Sequence, residues 1–258
     1  MAVTHASLGI AGLVLLAGSV VMLFFVVLSA VDVATPLSAT YFLRADTSGI
    51  TGARPVSQWT YFYVCGDGNT DCGPAEPALP LGHAWAADPP VAPPAALLGS
   101  YGGGTTSYYF WYMWRFGWVF YLLGLFFDVL AFFSGFVACF GRLGSAVAAL
   151  TSAIALFFLS IAVSMMTAVF VKMRDAFLAD GRDATLGRYA FGFSWGAWAA
   201  LLLATALFGV GIRRAGASAA GAGAADGVTS RGRWRRTRST RSRKSYDMGS
   251  RRVKEEYP

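Results

Sequence analysis

The sequence predicts an all-α membrane protein: a bundle of four transmembrane helices with a small, disulfide-clipped extracellular loop domain that contains β-structure and a disordered basic C-terminal tail. Two observations predict this class. Four stretches are long and apolar, and the C-terminal segment carries more than half of the 21 lysine and arginine residues. With 55% hydrophobic and 14% charged residues, a soluble chain of this length would not bury four such surfaces around one core.

Each apolar stretch has the length of a membrane-spanning helix, which needs about 20 residues to cross the hydrocarbon core. The predicted spans are residues 8–31, 116–140, 145–171 and 194–212. The first is expected to be a retained helix rather than a cleaved signal peptide. Residues 1–7 contain no lysine or arginine, and the apolar run is longer than the usual stretch of about 7–15 residues.

The spans divide the rest of the chain into five segments. These are a short N-terminus (1–7), a large loop (32–115), a turn (141–144), a second loop (172–193) and the tail (213–258). An even number of spans puts both termini on one side of the membrane, and the basic tail favours the cytosol. Positive charges also flank the loops on the other side, so local charge alone does not decide the orientation.

Two cysteines in the large loop decide the predicted orientation. Cys65 and Cys72 flank a run of turn-forming residues, so a short hairpin would bring them together. Disulfides persist in oxidising spaces, and closing this ring would contribute about 2.5 kcal/mol in the loop-entropy description. We therefore expect the large loop to be extracellular and both termini to be cytosolic. The alternatives are two free cytosolic thiols or a partial zinc site with His83, and we expect no metal.

The large loop contains a predicted strand. The run V-S-Q-W-T-Y-F-Y-V-C, from Val56 to Cys65, is aromatic and β-branched and lies between Pro55 and Gly66, which is typical of a strand that enters a turn. The sequence therefore predicts a small sheet clipped by the disulfide. Proline-rich segments follow and favour extended or polyproline structure. Aromatic residues around positions 108–118 predict an interfacial belt at the start of the second span.

Asp128 is the only charged residue within the four spans. A carboxylate at this depth is unfavourable by about 2.5–3.5 kcal/mol on insertion scales, so it should face the bundle. It shares a helical stripe with small residues, namely Gly124, Ala131 and Gly135. The functional interpretation is a proton- or ion-sensing carboxylate. The structural alternative is a buried acid bonded to third-span hydroxyls such as those of Ser152, Ser160 or Ser164.

The tail is predicted to be disordered, because its composition does not supply a core. Its basic block is expected to bind anionic inner-leaflet lipids, at about 1 kcal/mol per basic residue near the surface. The residues predicted to contact lipid are Arg231, Arg233, Trp234, Arg235, Arg236, Arg238, Arg241, Arg243 and Lys244. A tail that only fixes topology is the alternative, and nucleic acid is not an expected partner. Phosphorylation, with Ser239 the favoured site, would weaken adsorption.

Cys139 lies at the predicted cytosolic end of the second span and is a candidate for palmitoylation. The alternative is that its side chain is a small buried hydrophobic group. No catalytic residues and no cofactor are predicted. His5 and His83 are the only histidines, and the glycines at 102–104 lack the strand, helix and lysine of a phosphate loop.

The order of motifs resembles the fungal Sur-seven/PalI family. After a long first span come W-T-Y-F-Y-V-C at 59–65, D-C-G at 71–73 and P-A-L-P-L at 77–81, and then three clustered spans. The layout is also similar to that of claudins. Trp59, Cys65 and Cys72 match the loop motif, whereas Leu81 stands where the resemblance would place an aromatic residue.

The resemblance implies residence in static, furrow-like plasma-membrane domains of the eisosome type. It also implies roles in membrane organisation, cell-wall integrity and endocytic patterning, and one branch of the family acts in ambient-pH signalling. We therefore expect a non-enzymatic scaffold that assembles with its own copies or with other membrane-domain proteins. The alternatives are a signalling component for ambient pH or the cell wall and a claudin-like channel-accessory subunit.

Overall fold

The computed structural model describes residues 2–32, 34–87, 89–138 and 142–225. Side chains are described for residues 7–32, 34–87, 89–137 and 143–212. The predictions for Cys139 and for the basic block at 231–244 lie outside these ranges.

Four long helices form the bundle within the described ranges. They are α1 (Ala2–Val27), α2 (Tyr108–Ala138), α3 (Arg142–Ala179) and α4 (Arg188–Ala225). Each contains a stretch long and apolar enough to cross a membrane. The predicted four-helix membrane bundle is therefore confirmed.

The helices and the predicted spans end at different residues. Helix α2 begins at Tyr108 rather than 116, α3 continues past 171 to Ala179, and α4 begins at Arg188 rather than 194. Hydropathy falls at the basic residues near these ends, but the backbone remains helical for about two further turns. At its other end α4 continues past 212 to Ala225, through a segment rich in alanine, the residue with the highest helix propensity.

Small residues let the helices pack closely. A Cβ atom added to Gly124 on α2 would lie 3.2 Å from the backbone nitrogen of Leu159 on α3. A Cβ at Gly12 on α1 would lie 2.7 Å from the Phe208 ring on α4. Close approach of this kind is the usual basis of helix association in lipid, where apolar side chains gain little by leaving the acyl chains.

A four-stranded antiparallel sheet lies at the end of the bundle where α2 and α4 begin. Its strands are β1 (Leu43–Asp46), β2 (Val56–Trp59), β3 (Val64–Cys65) and β4 (Ala184–Leu186), in the order β3-β2-β1-β4. The first three come from the large loop, and β4 comes from the connection between α3 and α4. We use the name cap domain for residues 28–107 together with β4.

The predicted strand at 56–65 is in fact a hairpin of two strands. Its turn is closed by the backbone N–H of Thr60, which donates to the carbonyl oxygen of Tyr63 at 2.9 Å. The aromatic run did not reveal the turn because Tyr61 is fully buried against the helices, so burial extends through the turn as it does through the strands. In the proline-rich segment that follows, residues 81–84 form a single 3₁₀ turn.

Candidate functional site: the cap domain and its contact with the helices

The hairpin that follows β3 is closed by the predicted disulfide between Cys65 and Cys72. Two backbone hydrogen bonds, one inside the disulfide loop and one between the residues that flank it, also hold the hairpin together. The N–H of Gly66 donates to the carbonyl of Thr70 at 2.7 Å, and the N–H of Gly73 donates to Val64 at 3.0 Å. The disulfide therefore closes a segment that the backbone already folds back on itself.

Asn69 attaches this hairpin to the rest of the cap domain. Its side-chain nitrogen donates to the carbonyl oxygens of Leu37 at 3.0 Å and Thr40 at 2.9 Å, and its backbone N–H donates to the Gln58 side chain at 2.9 Å. The residue is 3% exposed and has a φ of 54°, a left-handed conformation that asparagine tolerates better than most residues. Sequence reasoning missed this role, although the only asparagine in a run of turn formers was an available signal.

An arginine fork holds the tip of the hairpin against β1. Arg44 donates through Nε to Asp67 Oδ1 at 2.8 Å and through Nη2 to Oδ2 at 3.2 Å. The hydrogen bond to Arg44 is the main cause that lowers the pKa of Asp67, and burial opposes it. A second ion pair joins Arg54, which lies just before β2, to Asp71 of the hairpin, with Nε 2.9 Å from Oδ2. The two aspartates of the hairpin are thus paired with arginines of neighbouring segments of the cap domain.

Trp59 connects the sheet to the P-A-L-P-L segment. Its indole Nε1 donates to the carbonyl oxygen of Leu81 at 2.8 Å, and the residue is 2% exposed. Trp114 of α2 donates in the same way to the carbonyl of Leu79, also at 2.8 Å. One indole from the cap domain and one from the bundle therefore hold the same irregular segment. Leu81 takes part through its backbone, which does not require the aromatic side chain that the resemblance implied.

Tyr61 and Trp118 exchange hydrogen bonds across the boundary between cap domain and bundle. The Tyr61 hydroxyl donates to the Trp118 carbonyl at 2.7 Å, and Trp118 Nε1 donates to the Tyr61 carbonyl at 3.2 Å. The two rings stack with their centroids 5.4 Å apart. Burial raises the pKa of the Tyr61 phenol well above its ordinary value, so the hydroxyl remains a donor.

Phe42 brings three helices together beneath the sheet. Its ring stacks on Phe170 of α3 with a centroid distance of 4.9 Å and meets Trp114 of α2 and Phe191 of α4 edge-on at 6.2 and 5.7 Å. The residue is 1% exposed. Aromatic pairs contribute about 0.5–1.5 kcal/mol each beyond the area they bury, so this cluster fixes the cap domain on the bundle.

Asp128 lies inside the bundle, and its partner is on the first helix. Oδ2 accepts a hydrogen bond from the Ser19 hydroxyl at 2.6 Å, and Ser19 Oγ also lies 3.2 Å from the Ala197 carbonyl of α4. The prediction of a third-span partner was wrong. Ser152 and Ser160 instead donate to carbonyls of their own helix, a common choice for serine within a helix. Asp128 and Ser19 thus link α2 to α1 and α4.

The other carboxylate oxygen of Asp128, Oδ1, is buried and has no hydrogen-bond partner among the described residues. In the same part of the chain, no group of three or more histidine, cysteine, aspartate or glutamate side chains is placed to hold a metal ion.

Comparison with known proteins relates this arrangement to one family. The profile of the SUR7/PalI family matches residues 8–207. Protein SUR7 of Candida albicans is 36% identical over 201 residues, a match that covers 76% of this chain and 71% of that protein. No solved structure matches the chain. The matched range contains the first three predicted spans, most of the fourth, the sheet and the disulfide.

Proposed function

This chain belongs to the SUR7/PalI family, and on that premise we propose that it is a non-enzymatic tetraspan scaffold of the plasma membrane. It helps to organise static, furrow-like membrane domains of the eisosome type and thereby supports cell-wall and membrane integrity and endocytic patterning. The cap domain lies outside the cell, and both termini lie in the cytosol.

The observation that carries the proposal is the rigid attachment of the cap domain. A scaffold must hold its binding surface in a fixed position relative to the membrane. The buried hydrogen bonds of Trp59 and Tyr61 and the ring cluster around Phe42 provide such an attachment. A domain tethered only by flexible loops would transmit no orientation from the bundle to its partners.

The basic tail supplies the second contact of the scaffold. The segment from Arg231 to Lys244 adsorbs to anionic inner-leaflet lipids, with Trp234 at the interface. Phosphorylation of Ser239 adds about −1.5 to −2 charges and weakens this adsorption. A bundle held in the bilayer and a tail held on its inner surface restrain the same stretch of membrane, which favours dense assembly with further copies or other membrane-domain proteins.

Imaging of the tagged full chain in living fungal cells tests the proposal. We expect cortical patches whose fluorescence does not recover after bleaching. A diffuse or internal pattern would contradict the scaffold. Trp59→Ala should disperse the patches because it removes one of the two indoles that hold the segment at 77–81. Trp195→Ala, which removes an indole that donates to Thr167 at an exposed site, should leave them intact.

A signalling role in ambient pH is the second candidate, and the buried Asp128 favours it. An intramembrane acid with one unpartnered oxygen is a site where proton binding would change the contacts of three helices. Asp128→Asn separates the two roles because asparagine keeps an acceptor for Ser19 and does not titrate. Retained patches with a lost response to external pH would support signalling, whereas retention of both would leave scaffolding as the role.

A further inference from the structure

Arg115 lies on α2 and has no anionic partner among the described residues. Its guanidinium carbon is 3.7 Å from the ring centre of Trp111, one helical turn earlier. Its Nε is buried without a hydrogen-bond acceptor among the described residues. The ion pairs found in the same part of the chain involve other arginines. The side chain is therefore held by a ring, and its buried Nε has no acceptor in the described structure.

An arginine without an ion-pair partner is unusual at the position along α2 that Arg115 occupies. The residue lies about 10 Å along the axis from the start of α2 at Tyr108. Beyond it, Phe116 and Val119 are 52% and 46% exposed and form the apolar outer surface of the helix, and Tyr112 is exposed before it. Arg115 thus marks the boundary between an aromatic belt and the lipid-facing surface. A lone guanidinium at this depth is unfavourable unless it reaches polar groups.

The ring beneath the guanidinium is held in place by the cap domain. Tyr101 packs against Trp111 with a centroid distance of 6.0 Å. A Cβ at Gly102, whose φ is 63°, would lie 2.9 Å from Cζ3 of Trp111 and 2.9 Å from Cβ of Pro80. The glycine is therefore required for this close approach. Because the indole is fixed, the arginine stacked on it loses little further freedom when it binds a ligand.

We propose that Arg115, stacked on Trp111, binds the phosphate group of a phospholipid in the leaflet on the side of the cap domain. The fork of guanidinium N–H groups matches two phosphate oxygens, and a phosphate diester is the anion that a bilayer provides at this depth. The acyl chains lie along the exposed surface of Phe116 and Val119. The site depends on membrane insertion and not on the scaffold role, the lipid preference of the tail or the oligomeric state.

Native mass spectrometry of the full-length protein in detergent tests this site, with dioleoyl phosphatidylcholine as the probe. We expect the wild type to bind the lipid in a saturable way and Arg115→Gln to bind about tenfold more weakly, as the loss of a charge-assisted contact implies. Arg188→Gln is the matched control. It removes an exposed arginine at the same end of the bundle that forms no ion pair or ring stack within the described structure, and it should stay within about twofold of wild type. The basic tail is identical in all variants.

Two further arms identify the ligand chemistry. Dioleoylglycerol, which lacks the phosphate, should bind wild type and Arg115→Gln alike, and inorganic phosphate at millimolar concentration should not displace the phospholipid. Arg115→Lys keeps the charge but loses the planar stack, so it should weaken binding to an intermediate degree and provides the test if Arg115→Gln does not fold. Equal binding by wild type and the Arg115 variants, an equal loss in Arg188→Gln, or displacement by inorganic phosphate would each overturn the proposal.

Discussion

The indoles of Trp59 and Trp114 and the phenol of Tyr61 each donate to a backbone carbonyl at the contact between cap domain and helices. The carbonyls of Leu79 and Leu81 belong to a segment without strand partners, and each accepts one of these indole N–H groups. Leaving a buried acceptor unmet costs about 1–3 kcal/mol. At the scale of single residues, the attachment of the cap domain thus depends on a few polar atoms carried by large apolar rings.

Trp59→Phe isolates one of these hydrogen bonds, because it removes the donor and keeps most of the ring. We expect the free energy of unfolding to fall by about 1–3 kcal/mol, which lowers the thermal midpoint by several degrees in a chain of this size. Intrinsic fluorescence during thermal unfolding in detergent measures the change. Trp195→Phe removes an indole that donates at an exposed site, to Thr167 at 3.3 Å, and is the control. Equal effects of the two substitutions would show that the bond to Leu81 is not important.

Ser19→Ala tests the link between α1, α2 and α4. It removes the donor to Asp128 and the contact with the Ala197 carbonyl. Hydrogen bonds between membrane helices contribute about 0.6 kcal/mol on average, and we expect a loss of about 1 kcal/mol here because two contacts disappear. Ser152→Ala is a matched control, since this buried hydroxyl donates only to its own helix at Ala149 within the described structure. A loss in Ser152→Ala that equals or exceeds that in Ser19→Ala would contradict the assignment.

The hairpin after β3 combines local signals with contacts that the sequence did not reveal. Cys65 and Cys72 were predicted to pair because a short run of turn formers brings their chain positions together, and the structure confirms the disulfide. The anchor provided by Asn69 was not predicted, since its acceptors Leu37 and Thr40 lie in an irregular segment about thirty positions earlier. Local geometry was therefore predictable at this element, but its attachment to distant backbone was not.

The fork between Arg44 and Asp67 gives the hairpin a pH-dependent stability. The pKa of Asp67 is lowered in the folded state, so the fork contributes stability above the unfolded pKa of about 3.9 and loses it as the pH falls through the folded value. Because the Asp67 side chain is 63% exposed, the effect is small. We expect Arg44→Met to lower the thermal midpoint by at most about 2 °C at pH 7 and by nothing measurable near pH 2.

A double-mutant cycle controls for other titrating groups. In an Asp67→Asn background, Arg44→Met should have the same effect on the thermal midpoint at both pH values, because the charge on the partner no longer changes. A pH-dependent effect that persists in this background would assign the dependence to another carboxylate.

The helix ends show what hydropathy measures. It predicted the membrane segments, because about 20 apolar residues are needed to cross the bilayer, but it did not predict where the backbone stops being helical. Trp114 and Phe177 lie in the added turns of α2 and α3, and both rings belong to the contact with the cap domain. These turns remain helical because their aromatic faces are buried by the cap domain, and hydropathy contains no information on that contact.

The whole molecule is joined by a pairing between distant parts of the chain. Strand β4, from the connection between α3 and α4, pairs with β1 from the large loop, and Leu43 faces Leu186 across this ladder. The two connections on one side of the bundle therefore form a single sheet. No periodicity in residues 172–193 indicated a strand, because β4 spans only Ala184–Leu186 and its partner is far away in sequence. The fold class and the number of spans were predictable from composition, but the pairing of β4 with β1 was not.

Topology is the prediction that belongs to the molecule as a whole. We expect the segment after residue 212 to lie on the side of the membrane opposite to the cap domain, because helix α4 begins at the sheet and its apolar stretch is long enough to cross the bilayer. In a Cys139→Ser background, Ser48→Cys, at an exposed position beside the sheet, should react with a membrane-impermeant maleimide in intact cells. Ser245→Cys in the tail should react only after permeabilisation, which makes the two serine positions controls for each other. Labelling of both positions in intact cells would mean that an even number of segments crosses the bilayer between them. The reverse pattern would place the cap domain in the cytosol, where its disulfide would not be expected to persist.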